Sequence, residues 1–450
     1  MQYRIESKDQ YQSFYAESLN KLDKYWSDRA ETFEWYKKWD SVLTGDFHNL
    51  DVKWFDGGKT NITINALDRH AKNQPDKVAI HWEPNDPNSP NKSFTYQQLL
   101  DEVSRFANVL KDQGVKKGDR VIFYMSMVPE LLTGVLACAR IGAVHSVVFG
   151  GFSAKALAGR VNDCQAKIVI TNDEGMRGNN PIPLKAITNE AMEECPGVER
   201  VLCLSHTGAA VDMVSGRDLW LNELLQNADK NCPAEVMNSE DPLFILYTSG
   251  STGKPKGLQH TTAGYMLWAS ETFKNVFQVN SDDIFWCSAD IGWITGHSYI
   301  SYGPLLNGST QVIFEGIPTY PDAGRFWDVI DKYKVSHFYT APTAIRALEA
   351  CDIEFVDRAD LSSLKVLGTV GEPINEEAWH WYNDKIGKGN CPIVDTWWQT
   401  ETGGIMISTV AGVTDVIPCH ATLPLPGVHP VLVDTDGKEI EGNPAEGNLC

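Results

Sequence analysis

Tyr247-Thr248-Ser249-Gly250-Ser251-Thr252-Gly253-Lys254-Pro255-Lys256-Gly257 packs glycines, hydroxyls and two lysines into one turn-forming loop. That composition suits a polyphosphate. Glycines let backbone N–H groups converge on an anion, and hydroxyls and ammonium groups add donors and charge. The apolar run Leu243-Phe244-Ile245-Leu246 reads as a buried strand. The loop is therefore expected at a strand's carboxyl end, where open α/β sheets bind ligands. A Walker A loop is excluded, because Lys254 is followed by Pro255 and Thr248 stands where that motif needs its first glycine.

Outward from the loop, 450 residues exceed one ordinary core, so two or more packed subdomains are expected. A hydrophobic content of 42% with 22% charged residues describes a soluble globular chain. The formal net charge of −20 disfavours sequence-independent binding to nucleic acid or to anionic membranes, both of which need a positive field. A local lysine and arginine pocket still suits an anionic small molecule. Met1 to Gln10 hold charges and no apolar core of a secretory signal. The most apolar stretch, from Val121 to Gly151, is interrupted by Pro129, Glu130, Arg140 and His145 and falls short of a membrane span. Ten cysteines without a CxxC pair suit buried thiols in a reducing compartment, so a cytoplasmic location is expected.

Residues 1–58 are aromatic and charged, with Tyr15, Leu19, Leu22 and Trp26 at helical spacing, and are expected to wrap the core. From 59 to 422, strand-like and helix-like runs alternate. Lys77–Trp82 and Ser93–Phe94 flank a Pro/Asn loop; Thr95 and Gln98 form a capping box opening a helix with Leu99, Leu100, Val103, Phe106 and Leu110, stopped by Gly114. Further strands are expected at Arg120–Tyr124, Ala143–Phe149, Ala166–Thr171 and Val201–Leu204. Alternation of this kind implies an α/β fold with mostly parallel sheets sandwiched by helices. From 423 to 450, short apolar runs broken by prolines, with the turn Asp434-Thr435-Asp436-Gly437, read as antiparallel strand-and-turn structure.

Two other strand-to-loop transitions place polar groups at strand ends. Val366-Leu367 and Thr369-Val370 lead into Gly371-Glu372-Pro373, and Pro392-Ile393-Val394 lead into Asp395-Thr396-Trp397-Trp398-Gln399-Thr400-Glu401-Thr402-Gly403-Gly404. Alone, the first is an ordinary turn and a Trp-Trp pair is ordinary core. In this order, and with Phe149-Gly150-Gly151-Phe152-Ser153, Asp290-Ile291-Gly292-Trp293-Ile294-Thr295-Gly296-His297-Ser298-Tyr299 and Tyr339 to Leu348, the chain resembles the adenylate-forming superfamily, and within it most closely the acetyl-CoA synthetases. The resemblance spans nearly the whole chain.

What the resemblance implies is AMP-forming ligation of acetate to CoA, with ATP, Mg²⁺ and CoA as the small-molecule set and a ligase for propionate or another short-chain acid as the alternative. The implied fold is the adenylate-forming N-terminal domain, two α/β subdomains followed by the start of a β-rich, distorted-barrel subdomain. That family's hinge, adenylation lysine and small C-terminal domain match nothing up to Cys450, so this 450-residue form is expected to be impaired alone, or to be a nucleotide-binding module. By the same resemblance, ATP is held by Thr248, Ser249, Gly250, Ser251, Thr252, Gly253, Lys254 and Lys256, with Gly371, Glu372 and Pro373 flanking the adenine. Asp395, Thr396, Trp397, Trp398, Gln399 and Thr400 wrap the nucleotide, Thr400 reaching the α-phosphate and Glu401 placing Mg²⁺, for which a carboxylate is a hard oxygen ligand. Ile294, Thr295, Val370 and Trp398 form the acetate pocket, and Ile294 stands where the family carries valine. Arg177, Gly151 and Thr295 serve CoA, along with Asn180 in place of a second family arginine and Thr319 in place of an asparagine. No side-chain nucleophile is expected.

Overall fold

The computed structural model describes residues 3–248, 255–442 and 444–450. Two sheets carry the chain. In the first, the strands run across the sheet in the order Asp218–Trp220, Arg200–Leu204, Ile168–Asn172, Arg120–Tyr124, Val144–Val147, Pro242–Thr248 and Lys256–Thr261. Every neighbouring pair is parallel except the last, an antiparallel hairpin that pairs Thr248 with Lys256. In the second sheet the order is Ile407–Ser408, Ile393–Trp397, Val366–Thr369, His337–Thr340, Ile284–Cys287, Thr310–Phe314, Val78–Glu83 and Lys92–Thr95, antiparallel only at its two edges. Parallel interiors of apolar β-branched residues are what buried sheets require.

The helix Tyr96–Asp112 shows how the local sequence builds these layers. Thr95 and Gln98 close a reciprocal capping box, and Leu99, Val103, Phe106 and Leu110 are completely buried along one face. Gly114, at φ +86°, takes the chain out of the helix in a conformation that favours glycine. The stretch Val121 to Gly151, the most apolar of the sequence, is strand, helix and strand; among the described residues no helix is long and apolar enough to cross a membrane.

At the N-terminus the expected helical run is two helices, Lys8–Asn20 and Leu22–Ala30, broken at Lys21. Trp26, on the second helix, is buried as its spacing implies, but Leu19, on the first, is exposed. Arg29, also buried, lies over the Tyr25 ring at 3.3 Å and 3.6 Å from the Glu271 carboxylate on helix Thr262–Phe277, and so ties this segment to the core. In segment 423–450, Leu432–Val433 pairs antiparallel with Asn448–Leu449 and the Asp434 carbonyl accepts the Gly437 N–H, giving a short ladder and turn among the described residues. All ten cysteines are unpaired, and all except Cys351, Cys419 and Cys450 are buried.

Candidate active site

The parallel strands of both sheets end at one place. Tyr124 leads into Met125 and Met127, Val147 into Phe149, Gly150 and Gly151, and Asn172 toward the small hairpin Gly175–Arg177 with Asn180–Ile182. From the other sheet, Cys287 leads into Ser288, Ala289 and Asp290, Phe314 into Glu315, Gly316 and Ile317, Thr340 into Ala341, and Thr369 into Val370. Residues from all these strand ends line one cavity of about 270 Å³. Strand carboxyl ends are where doubly wound sheets bind ligands, because adjacent loops diverge there and leave a crevice. Contacts between the sheets hold it open: the Trp82 indole N–H donates to the Met127 carbonyl at 2.9 Å, and His206 Nε2 lies 2.8 Å from Glu315 Oε1.

Of the five residues expected to serve CoA, two line this cavity, two lie on segments next to it, and Thr295 is outside its wall. Gly151 and Arg177 line it, and the Arg177 guanidinium sits 6.0 Å over the Phe149 ring. Asn180 pairs with Arg177 across the hairpin. A side-chain carbon on the hairpin's Gly178 would lie 3.1 Å from Ile317 and 3.5 Å from Tyr320, which brings exposed Thr319 alongside. Buried Asn85 clamps that tip with two hydrogen bonds to the Gly178 backbone, each 2.9 Å.

Of the four residues expected around the acyl carbon, only Val370 lines the cavity. Ile294 and Thr295 are buried in the short turn Ile294–Gly296 that continues from Asp290, and Trp398 packs edge-on against Tyr299 of the adjoining Tyr299-bearing helical turn at 5.2 Å. The Trp398 N–H donates to the Tyr339 hydroxyl at 3.3 Å, on the strand whose end supplies Thr340 to the cavity. Gly296 permits that turn, since a β-carbon there would lie 2.3 Å from the Asp290 carbonyl and 2.4 Å from Ile291 Cα, both backbone. Gly296→Ala is expected to destabilise the fold by roughly 2 kcal/mol through overpacking against backbone that cannot yield; chemical denaturation of the variant checks it.

Around the expected nucleotide, the structure redistributes the roles. Ser249 to Lys254 lie outside the described residues. Thr248 and Lys256 flank them as a hairpin pair, so Lys256 and Gly257 belong to a strand and not to the loop the sequence implied. Asp395, Thr396 and Trp397 likewise extend strand Ile393–Trp397 beyond the expected loop start. The Asp395 carboxylate is buried, accepting from the Thr369 hydroxyl and, at 3.0 Å, from the Trp379 indole N–H. Burial pushes its pKa up to about 6. With both oxygens already engaged, its role is to join two strand ends. Thr396 donates to the Thr369 carbonyl at 2.8 Å, and exposed Trp397 faces outward.

Gly371, at φ +93°, turns the chain after Val370 and presents Glu372. That carboxylate accepts from the Thr343 N–H at 2.7 Å, from the Thr343 hydroxyl, and from Arg346 at 2.9 Å. Partial burial would raise its pKa, but these hydrogen bonds outweigh it and hold the group below the usual glutamate range. Pro373 follows in the same exposed turn.

The loop Gln399 to Gly404 is pinned by residues the sequence reading did not single out. His260, on the strand that returns from the phosphate loop, has its Nε2 2.8 Å from the Thr400 carbonyl; Ser298 donates to the Gly403 carbonyl at 2.5 Å, and Ile405 donates to the Tyr299 hydroxyl at 2.8 Å. The Gln399 N–H bonds the Thr402 hydroxyl at 3.1 Å. Thr400 and Glu401 are thereby held beside the hairpin that carries Thr248 and Lys256. Glu401 is exposed. Among the described residues no group of three or more His, Cys, Asp or Glu side chains is placed to cage a metal.

The sequence model of the AMP-binding enzyme family matches residues 67–450, and that of the acetyl-coenzyme A synthetase N-terminus matches residues 11–66. The chain is 55% identical to the acetyl-coenzyme A synthetase of Rhizobium rhizogenes over 452 aligned residues, covering 99% of this chain and 69% of that protein. It is 53% identical to the synthetase of Alkalilimnicola ehrlichii, over 98% of the chain and 68% of the relative. For that of Parvibaculum lavamentivorans the identity is 54%, over 99% and 69%. With both family models tiling the sequence around a cavity at the ends of two parallel sheets, the chain belongs to the AMP-binding enzymes, in the acetyl-coenzyme A synthetase family.

Proposed function

We propose that this chain carries out AMP-forming ligation of acetate to CoA. The observation that carries the reading is the cavity shared by the carboxyl ends of both sheets, in whose wall Arg177 and Gly151 stand with Val370. A carboxylate is a poor electrophile, so the acid first attacks the α-phosphate of ATP, giving acetyl-adenylate and pyrophosphate; the CoA thiol then displaces AMP. In the first half the chain's task is positioning and charge neutralisation. The loop 249–254 with Lys256 cradles the phosphates, Thr400 offers a hydroxyl to the α-phosphate, and Gly371 to Pro373 border the adenine. Glu401 fits Mg²⁺, because it is an exposed carboxylate beside the phosphate hairpin and Mg²⁺ needs only one or two carboxylates besides phosphate oxygens and water. When bound, the ion neutralises charge on the phosphates.

Trp398, wedged against Tyr299, closes the acyl pocket, and Ile294 in place of the family's valine narrows it by one methylene, a change worth roughly 1–3 kcal/mol of discrimination against propionate. The compartment we infer is the cytoplasm, consistent with ten unpaired thiols. Segments 1–58, 59–422 and 423–450 are proposed as wrap, adenylation core and the start of a β-rich unit.

Incubating the full-length protein with acetate, ATP, Mg²⁺ and CoA should give acetyl-CoA, AMP and pyrophosphate; ADP and phosphate as products would refute the reading. Nucleotide binding has its own test. ATP with Mg²⁺ should raise the melting temperature by mass action, Thr400→Ala should diminish that rise, and Lys111→Ala, exposed on the helix Tyr96–Asp112, should leave it intact.

A further inference from the structure

Three ionisable side chains stand in the cavity wall: Arg177, Asp290 and Glu315. Glu315 is engaged by His206 at 2.8 Å, and Arg177 is a permanent cation. Asp290 differs from both. Its Oδ1 accepts the Gly292 N–H at 2.6 Å, while its Oδ2 has no hydrogen-bond partner among the described residues.

The sheet order also decides where Asp290 sits. Strand Ile284–Cys287, which leads to Asp290, lies between strand Thr310–Phe314, which leads to Glu315 and on toward Thr319, and strand His337–Thr340, beyond which Val366–Thr369 leads to Val370. Asp290 therefore stands between the strand end read for CoA and the one read for the acyl carbon. It also opens the turn that carries Ile294 and Thr295.

We propose that Asp290 is the catalytic base that removes the thiol proton of CoA in the second half-reaction. The inference rests on the acetate:CoA ligase reading above. The thiol sulfur forms a bond to the acyl carbon, the acyl carbon–oxygen bond to the phosphate breaks with its electron pair leaving on AMP, and the thiol proton passes to Asp290 Oδ2 and then to solvent. No oxidant or further reactant is needed. Burial pushes the Asp290 pKa up to about 6, with the Arg177 charge opposing, so the group is ionised at neutral pH yet basic enough to share a proton with a thiol. Arg177 and Glu315 are the other ionisable groups on that wall among the described residues.

The bland alternative is that Asp290 serves only its turn, through the bond to the Gly292 N–H. Asp290→Asn separates the two, since an amide oxygen keeps the turn but cannot take a proton. In the full-length protein, acetate-dependent ATP–pyrophosphate exchange without CoA should stay within about twofold of the parent. Single-turnover transfer from preformed acetyl-adenylate to CoA should fall by about 100-fold or more, the usual effect of losing a general base. The parent's transfer step should also lose rate on acidification through about pH 6, and its exchange step should not. Unaltered transfer in Asp290→Asn, or a parent transfer rate flat through that range, overturns the proposal; the parent's own profile decides the matter even if the variant fails to fold. Failure of the parent in both exchange and transfer refutes the ligase reading instead.

Discussion

Trp398→Gly should turn the enzyme from acetate toward longer acids, raising the ratio of kcat/KM for butyrate or hexanoate over acetate by orders of magnitude. The indole is held by the Tyr299 ring at 5.2 Å and by the Tyr339 hydroxyl at 3.3 Å, the latter on the strand that leads to Thr340 in the cavity wall. Its removal vacates the volume of several methylenes. Each extra buried methylene of a longer acid then gains about 0.8 kcal/mol, and acetate, left in an oversized cavity, loses the contacts that orient it. Steady-state kinetics across C2 to C6 acids in the full-length protein measure both changes. A well-folded variant that keeps the parent's acetate preference would make Trp398 a packing residue of the Tyr299 cluster and nothing more.

Acidification from pH 7 to pH 5 should cost the ligand-free protein at least about 2 kcal/mol of stability, a loss set by buried histidines. His297 and His337 are buried with pKa values lowered to about 4 by desolvation, and His145 is lowered further in the same direction. A histidine depressed in the fold stabilises it above the unfolded value of 6.5, and that contribution is lost as pH falls toward the folded value. At pH 5, His297 and His337 each remove about 2 kcal/mol. Asp290 and Asp395 act oppositely. Raised to about 6, their ionised forms are disfavoured in the fold, so each returns about 1 kcal/mol on the same change. The histidines win in this window, and the His145 contribution adds to the loss. Urea titrations at the two pH values check the sign; equal stability at both would mean these imidazoles gain protons without unfolding.

The legible parts of this fold were those whose cause is local. A capping box at Thr95 and Gln98 and a continuous apolar run at Leu243–Leu246 each contain the reason for their own structure, and both elements form where expected. Asp395 shows where locality ends. A carboxylate after an apolar run reads as the start of a loop, yet Thr369 and Trp379 supply donors from elsewhere in the chain and keep the strand going to Trp397. His260 and Ser298 were given no role in the sequence because their partners are backbone carbonyls, at Thr400 and Gly403, that no side-chain pattern announces. Asp290 lay inside a quoted motif, but its chemical interest depends on the order in which strands pack, and that order is a property of the sheet.

The most direct test of the ligase reading is exchange of labelled pyrophosphate into ATP, catalysed by the full-length protein in Mg²⁺ with CoA withheld. Exchange should be absent without an acid, appear with acetate, and weaken as the acid lengthens, because adenylation needs acetate alone and precedes any encounter with the thiol. Exchange that ignores acetate, or that requires CoA, would contradict a two-step mechanism through acetyl-adenylate.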